Sequence, residues 1–286
     1  MKEFNILFFL LIGFNSCGNK LSEIPVSDNT IPSQIDSTIK SDSISIIKKD
    51  VKEPYILDST KKYIYLTFDD GPQNGTLTCY NICEELGVKG TFFMIGEQVK
   101  DKWGKNLKQK INDGYPLTLL ANHSYTHAFN NKYKKFYRYS DSALSDFKRA
   151  QDSLKINYKI ARLPGNSGWV TENKIKSSRF VKSVINKLDS VGYDVIGWDV
   201  EWNFSYDGRS KPVQSAKTVL GYINYALNHN ASFTKNHVVL LTHDRMFREK
   251  ADADSLRHVI QELKKNKDYI FETIDHYPGL KLNTSN

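Results

Sequence analysis

Two neighbouring carboxylates, Asp69 and Asp70, follow an apolar segment and precede a Gly-Pro turn. The apolar segment, residues 63–68, alternates β-branched and aromatic side chains, which predicts a buried strand. Adjacent side chains at a strand end point in different directions, so the two carboxylates suit different tasks. One can bind a metal ion while the other moves a proton. Taken alone, the same residues fit equally well an ordinary turn in which the aspartates cap the next helix.

Two histidines, His123 and His127, are four residues apart, a spacing that puts both imidazoles on one face of a helical turn. Together with Asp70 they would supply two nitrogens and one carboxylate and leave one position open for water. That donor set is typical of a catalytic zinc site rather than a closed structural one. Asp69 would then be the base that takes a proton from water. On its own, the histidine pair also fits a surface or capping role.

Further polar side chains follow the later predicted strands. Arg162 can pair with a carboxylate, and His243 can protonate a leaving group if a nearby carboxylate raises its pKa. Each also fits a structural role, as a surface ion pair or a hydrogen-bonded strand end. A last cluster comprises Trp198, Asp199, Glu201 and Trp202. Tryptophans at the mouth of a barrel either stack on sugar rings or pack into the core.

The elements that must hold these groups alternate between strand and helix. Strands are predicted at 63–68, 90–96, 116–121, 158–161, 193–199, 238–242 and 269–274, and helices at 77–86, 97–112, 141–154, 172–191, 213–227 and 253–265. This alternation predicts an α/β fold with a parallel sheet flanked by helices. The polar clusters follow strand ends, and the carboxyl ends of barrel strands converge on one face, where active sites lie.

The first 60 residues differ in character. Residues 1–16 combine a short charged start with an apolar run, which predicts a secretory signal, and the run is too short for a transmembrane helix. Cys17 follows, as in a bacterial lipoprotein, although Phe14-Asn15 departs from the usual lipobox. We predict an exported, lipid-anchored protein of the cell envelope, with a secreted or periplasmic soluble protein as the alternative. Residues 17–60 predict a flexible tether, and 61–286 form the predicted catalytic domain.

Composition narrows the class of partner. The formal net charge is +8 over 286 residues, and scattered basic clusters predict solvated faces, with attraction to an anionic polymer as a weaker alternative. No P-loop, zinc-finger spacing or RNA-binding aromatic motif occurs in the sequence, so nucleic acid is not an expected partner. Cys79 and Cys83, four residues apart, are predicted to be buried small hydrophobes, with a disulfide as the alternative.

In their order along the chain, these motifs resemble those of polysaccharide deacetylases, the NodB-homology domain of carbohydrate esterase family 4. The resemblance extends from about Lys61 to the C-terminus, and it is carried by segments 67–72, 123–127, 162–165, 201–202 and 241–243. It implies a distorted (β/α)7 barrel and a divalent metal, usually Zn²⁺. The residues that match the metal ligands of the family are Asp70, His123 and His127.

The resemblance also implies roles for four other residues. Asp69 matches the general base and Arg162 its partner, while His243 matches the general acid and Leu241 lies beside the acetyl group. These roles belong to hydrolysis of an acetyl group, most simply from N-acetylglucosamine-type sugars of a cell-wall or extracellular glycan. An O-acetyl esterase of xylan-like glycan and a non-catalytic glycan-binding lipoprotein are the alternatives.

Two positions depart from the family pattern. Gly165 stands where an aromatic residue often follows proline, and its backbone N–H could still help form an oxyanion hole. Glu201 replaces an aspartate, so either Glu201 or Asp199 is expected to partner His243. Neither departure removes a predicted metal ligand, so we expect an active enzyme. We also expect Trp198 and Trp202 to contact the substrate.

Overall fold

The computed structural model describes residues 56–284. The predicted signal segment, Cys17 and most of the predicted tether lie outside the described residues. Within residues 56–284, no helix is both long enough and apolar enough to cross a membrane.

One curled sheet organises the described residues. Its strands are β1 Lys62–Gly71, β2 Gly90–Met94, β3 Thr118–Asn122, β4 Ile160–Ala161, β5 Gly168–Val170, β6 Ile175–Ser177, β7 Asp194–Val195, β8 Val200–Glu201, β9 His237–His243 and β10 Tyr269–Phe271. They are ordered β6-β5-β7-β4-β3-β2-β1-β9-β8, and β10 pairs with β1. All pairings are parallel except those of β5 with β6 and β7. The predicted α/β fold with a parallel sheet is therefore confirmed.

Helices cover the outer face of this sheet. They are α1 Thr76–Leu86, α2 Lys102–Asp113, α3 Tyr133–Arg138, α4 Ser140–Leu154, α5 Lys182–Ser190, α6 Ala216–Asn228 and α7 Lys250–Lys264. Short 3₁₀ turns occur at Gly96–Val99, Asp244–Phe247 and Ile274–His276. Cys79 and Cys83 are free thiols buried between α1 and the sheet, which confirms their prediction as small core residues.

Strand β1 separates two parts of the core. Ile64, Leu66 and Phe68 pack with the helices, whereas Tyr63 and Tyr65 pack inside the curl of the sheet. Because side chains alternate along a strand, every second residue after Tyr65 also faces the interior of the sheet, and Asp69 is one of them. Burial on both faces thus fixes which side of the sheet carries the polar residues at the end of β1.

Two predicted elements are wrong in part. The helix predicted over 172–191 begins only at Lys182, because Thr171 N–H donates to the Lys174 carbonyl and closes a turn that pairs β6 with β5. Of the strand predicted over 193–199, only Asp194–Val195 (β7) is formed, and β8 begins beyond its predicted end, at Val200. The carbonyls of Ile196 and Gly197, which lie between them, accept hydrogen bonds from the Arg162 side chain.

Candidate active site

A cavity of about 680 Å³ opens at the carboxyl ends of β1, β3 and β9. Nine residues singled out from the sequence line it: Asp69, Asp70, His123, His127, Gly165, Trp198, Glu201, Leu241 and His243. The fold therefore brings to one place groups that are up to 174 positions apart in the chain (residues 69 to 243).

A bulge at the end of β1 lets both adjacent carboxylates reach this cavity. The register of β1 against β2 shifts between Asp69 and Gly71, and Asp70 has φ 72°. A left-handed conformation is unfavourable for a residue with a side chain and is often found at functional sites. Here it turns the Asp70 carboxylate toward the two histidines instead of away from them.

The two histidines are not on a right-handed helical turn, so that part of the prediction is wrong. His123 directly follows β3, and its N–H donates to the Met94 carbonyl. Residues His127–Asn131 form a left-handed turn in which every φ lies between 47° and 64°. The turn is held by Thr126, whose hydroxyl accepts from the Phe129 N–H at 2.9 Å. The two imidazoles nevertheless come together, with ring centroids 5.2 Å apart.

Hydrogen bonds set the tautomer of each histidine. His123 Nδ1 lies 3.1 Å from the carbonyl oxygen of Arg162, and His127 Nδ1 lies 2.5 Å from Asn131 Oδ1. Since both partners are acceptors, each Nδ1 carries the proton and each neutral ring keeps a lone pair on Nε2. Such outer hydrogen bonds commonly orient histidines that bind metals.

These lone pairs converge on Asp70. Its Oδ1 lies 3.4 Å from His123 Nε2 and 3.1 Å from His127 Nε2, and it makes no hydrogen bond to any described residue. Three donor atoms facing one another repel unless a cation or a proton lies between them. Ligands of a tetrahedral zinc ion with bonds of ~2.0–2.1 Å are separated by roughly 3.3 Å. Asp70, His123 and His127 therefore fit a divalent cation as a three-residue donor set.

The other oxygen of Asp70 is already engaged. The Arg245 guanidinium donates to Oδ2, so Oδ1 alone faces the histidines. Burial by itself would raise the pKa of Asp70, but the contacts with His123 and His127 outweigh burial and hold it well below the usual value. For His127, burial lowers the pKa and the neighbouring Asp70 raises it by more. Asp70 is thus a carboxylate anion at neutral pH.

Asp69 faces the same cavity with a different partner. Arg162 is fully buried and donates from Nη1 to Asp69 Oδ1 at 2.8 Å and to the Thr67 hydroxyl at 2.6 Å. Its remaining donors reach the carbonyls between β7 and β8 described above. Asp69 Oδ2 lies 3.7 Å from His123 Nε2, beside the donor set. One oxygen of Asp69 is therefore fixed by Arg162, and the other lies next to the place where a water molecule could react.

His243 has a less polar environment than the sequence predicts. Its Nε2 lies 3.9 Å from Asp70 Oδ2, its ring packs edge-on against Phe204 at 4.7 Å, and burial lowers its pKa. Nδ1 is buried without a hydrogen-bond partner among the described residues. A carboxylate partner for His243 was expected, and neither candidate is hydrogen-bonded to it.

Both candidate carboxylates have other contacts. Asp199 accepts from the N–H groups of Phe233 and Val239 at 2.6 and 2.8 Å, and burial raises its pKa to about 6. It is therefore a structural residue, and the alternative in which Asp199 partners His243 is wrong. Glu201 lines the cavity, where burial raises its pKa and a hydrogen bond with Trp198 opposes the rise.

The two tryptophans have different environments. Trp198 lines the cavity, whereas Trp202 is fully buried and donates from Nε1 to the Gln214 carbonyl at 2.8 Å. The predicted substrate contact of Trp202 is therefore wrong, since its ring belongs to the core. Leu241 is buried at the base of the cavity, next to Glu201 in the β8–β9 pairing.

Several cavity residues were missed in the sequence. They include Gln98, Asn130, Asn131, Tyr133, Asn203, Phe204, Tyr206 and Arg245. Arg245 could have been found, because it lies two residues beyond His243 at a strand end. Tyr133 lies within a lysine-rich segment that predicts only a solvated surface, and no local signal distinguishes it.

Comparisons with known proteins find deacetylases. Residues 57–167 match the family described as polysaccharide deacetylase. A chitin disaccharide deacetylase from Vibrio alginolyticus is 28% identical, over 76% of this chain and 72% of its own. A peptidoglycan-N-acetylglucosamine deacetylase from Bacillus cereus is also 28% identical, over 76% of this chain and 72% of its own.

A solved structure has the same fold. The crystal structure of a polysaccharide deacetylase from Bacillus cereus superposes with a TM-score of 0.54 at 24% identity, covering 78% of this chain and 97% of that one. This likeness supports the curled α/β architecture, in keeping with the distorted barrel expected from the sequence.

Proposed function

This chain carries a polysaccharide deacetylase domain, and from that premise we propose that it hydrolyses the acetamido groups of N-acetylglucosamine-type sugars in a cell-wall or extracellular glycan. The observation that carries the proposal is the convergence of Asp70, His123 and His127 beside a second, arginine-paired carboxylate, Asp69. A glycan-binding protein without catalysis has no need of that second carboxylate. The relatives named above act, by their names, on chitin disaccharide and on peptidoglycan.

We propose that Asp70, His123 and His127 hold Zn²⁺ or another divalent ion. When bound, such an ion supplies Lewis acidity and makes a water molecule more acidic. The proposed roles of the protein residues begin with Asp69, which takes a proton as the water oxygen bonds to the acetyl carbon. Arg162 positions Asp69 for that transfer through their 2.8 Å contact.

The second half of the reaction belongs to His243. The bond between the carbonyl carbon and the sugar nitrogen breaks, the nitrogen takes a proton from the imidazolium form of His243, and acetate leaves. Burial disfavours the imidazolium form, so this step uses the protonated fraction of His243. The Gly165 N–H is the proposed donor to the carbonyl oxygen as negative charge develops there, and Leu241 and Trp198 are the proposed walls around the acetyl group and sugar. Glu201 lies near enough to the cavity to bind a sugar hydroxyl.

The test is acetate release by the full-length chain, with zinc added or removed by a chelator. N-acetylglucosamine oligomers and acetylated xylan are compared side by side. We expect zinc-dependent release from the oligomers, and Asp69→Asn should lower kcat by about 100-fold or more while the zinc content stays unchanged. His127→Ala should lower the zinc content. Asp254→Asn, on an exposed helix face, is the matched control.

Four results would contradict parts of this proposal. Wild-type turnover by Asp69→Asn would exclude Asp69 as the base, and unchanged zinc stoichiometry in His127→Ala would exclude that ligand. Release from xylan alone would make the protein an O-acetyl esterase. Glycan binding without any release, in zinc-loaded protein, would make it a binding protein.

We propose further that the chain is exported and anchored to a membrane of the cell envelope by lipid on Cys17. The support is the order of charged start, apolar run and cysteine in the sequence. Labelling of cells with radioactive palmitate should mark the wild-type chain and leave Cys17→Ser unlabelled. Unlabelled wild-type protein in the culture medium would favour simple secretion.

A further inference from the structure

Tyr133 occupies the space beside Gly165. A Cβ atom built on Gly165 would lie 2.8 Å from Tyr133 Cε1 and 2.9 Å from Cζ, closer than real Cβ contacts. Gly165 also has φ 62°, a conformation that residues with a side chain rarely adopt. The tyrosine ring, contributed by α3, therefore forms the cavity wall at the place where a side chain of residue 165 would otherwise stand.

Helix α3 is fixed against this wall at a second point. Tyr137, one helical turn after Tyr133, is buried and donates from its hydroxyl to the Pro164 carbonyl at 2.6 Å. Residues four apart lie on one face of a helix, so both tyrosines face the turn at Pro164–Gly165. The position of the Tyr133 ring is thus set by packing and by a buried hydrogen bond nearby.

The Tyr133 hydroxyl reaches the metal-binding side of the cavity. It donates to Asn131 Oδ1 at 2.9 Å, and the same oxygen accepts from His127 Nδ1 at 2.5 Å. The ring of Tyr133 also meets that of His127 edge-on at 6.0 Å. One carbonyl oxygen of Asn131 therefore joins the cavity wall to the predicted ligand His127, whose Nε2 faces Asp70.

We propose that Tyr133 is a positioning residue for His127, acting through Asn131, and that its ring is also a wall of the sugar-binding cleft. Tyr133 and Asn131 together hold the proton of His127 on Nδ1 and keep Nε2 free to bind a cation. The Asn131 side chain thereby connects the wall of the cleft, Tyr133, to the proposed cation ligand His127. The cleft part of this proposal rests on the proposed function, whereas the part that concerns His127 rests on cation binding alone.

The experiment measures zinc affinity by chelator competition and, separately, KM and kcat for acetate release, in the full-length chain. Asn131→Leu should weaken zinc binding by about 10- to 100-fold. Tyr133→Phe removes one hydrogen bond and keeps the ring, so we expect zinc binding about 2- to 10-fold weaker at unchanged KM. Tyr133→Leu should weaken zinc binding similarly and raise KM about 3- to 10-fold.

Two further variants serve as controls. Asn131→Asp keeps an acceptor for both the tyrosine and the histidine, so it should restore zinc affinity to the wild-type value or better. Tyr222→Phe changes an exposed tyrosine on α6, far from the cavity lining, and should change nothing. Thermal unfolding of each variant shows whether a loss reflects unfolding, and the rescue by Asn131→Asp is a readout that a purely structural role would not produce.

Wild-type zinc affinity in both Asn131→Leu and Tyr133→Phe would overturn the proposal, as would failure of Asn131→Asp to restore binding. Equal KM values for Tyr133→Leu and wild type would overturn the cleft part. If the wild type binds zinc but releases no acetate, the proposed function fails, and the zinc measurements still decide the role of Tyr133. If the wild type binds no zinc, both proposals fail.

Discussion

Removal of the Arg162 guanidinium should destabilise the domain severely. Arg162 is fully buried and donates to Asp69, to Thr67 and to two backbone carbonyls, with all four distances between 2.6 and 3.1 Å. In Arg162→Met the side chain still fills the space, but the buried Asp69 loses its arginine partner and the two carbonyls lose their donors. Removing one member of a buried ion pair costs about 3–5 kcal/mol.

Each orphaned buried carbonyl adds about 1–3 kcal/mol unless water reaches it. We therefore expect Arg162→Met to lower the free energy of unfolding by at least about 4 kcal/mol, a large share of the 5–15 kcal/mol typical of a domain. The measurement is urea denaturation at pH 7. The matched control is Arg257→Met, because Arg257 pairs with Glu85 at 2.9 Å on the surface and should contribute about 1 kcal/mol or less.

A double-mutant cycle separates the ion pair from the rest of the network. In Asp69→Asn/Arg162→Met no uncompensated charge remains at the pair, so the double variant should be more stable than the sum of the two single effects by about 2–3 kcal/mol. Strict additivity would refute the importance of the pair. A loss of less than about 1 kcal/mol in Arg162→Met would refute the whole estimate, since it would mean that the buried acceptors are satisfied in some other way.

Three further predictions concern stability. Burial lowers the pKa of His237 to about 4, so between about pH 6.5 and pH 4 the unfolded chain binds a proton at this residue and the folded chain does not. The free energy of unfolding should therefore fall by up to about 3 kcal/mol as the pH is lowered from 6.5 to 4. Urea denaturation at several pH values measures this fall, and His237→Phe should remove the part of it that is due to His237. Because Trp202 is buried in the core, Trp202→Ala should lower the free energy of unfolding by about 3–5 kcal/mol, measured by urea denaturation, and should leave KM unchanged. Trp198 lines the cavity, so Trp198→Ala should raise KM. Gly75→Ala should lower the free energy of unfolding by about 1–3 kcal/mol or more, because the new Cβ would clash with the backbone carbonyl oxygen of Asp244. Gly221 lies in a helix with open space around it, so Gly221→Ala should raise the melting temperature slightly.

The sequence predicts the order of the main strands because their burial leaves a local signal. Strand β1 and strand β9 are apolar on both faces, and the polar residues stand out where each strand ends. Asp69, Asp70 and His243 were therefore found, and their meeting in one cavity follows from the parallel sheet.

Other features depend on contacts between distant segments, which no local pattern records. The spacing of His123 and His127 fits a right-handed helix, yet the backbone of His127–Asn131 is left-handed. Asp199 and Trp202 have side chains suited to a sugar site. In the structure, however, Asp199 accepts hydrogen bonds from two backbone N–H groups, and Trp202 packs in the core. Tyr133 reaches the cavity only because α3 docks on the turn at Pro164–Gly165.

The left-handed turn His127–Asn131 makes the position of one of the three donors, His127, a product of tertiary structure. For L-residues this winding costs roughly 1–2 kcal/mol per residue relative to a right-handed helix, and asparagine tolerates it better than most. The turn persists because Ala128 is buried and because Asp146 binds the hydroxyl and the backbone N–H of Thr126. A short synthetic peptide covering residues 118–132 would contain both imidazoles and none of these restraints. Cation affinity at the proposed site would therefore measure how completely the whole domain has folded, and a peptide carrying the motif alone should lack it.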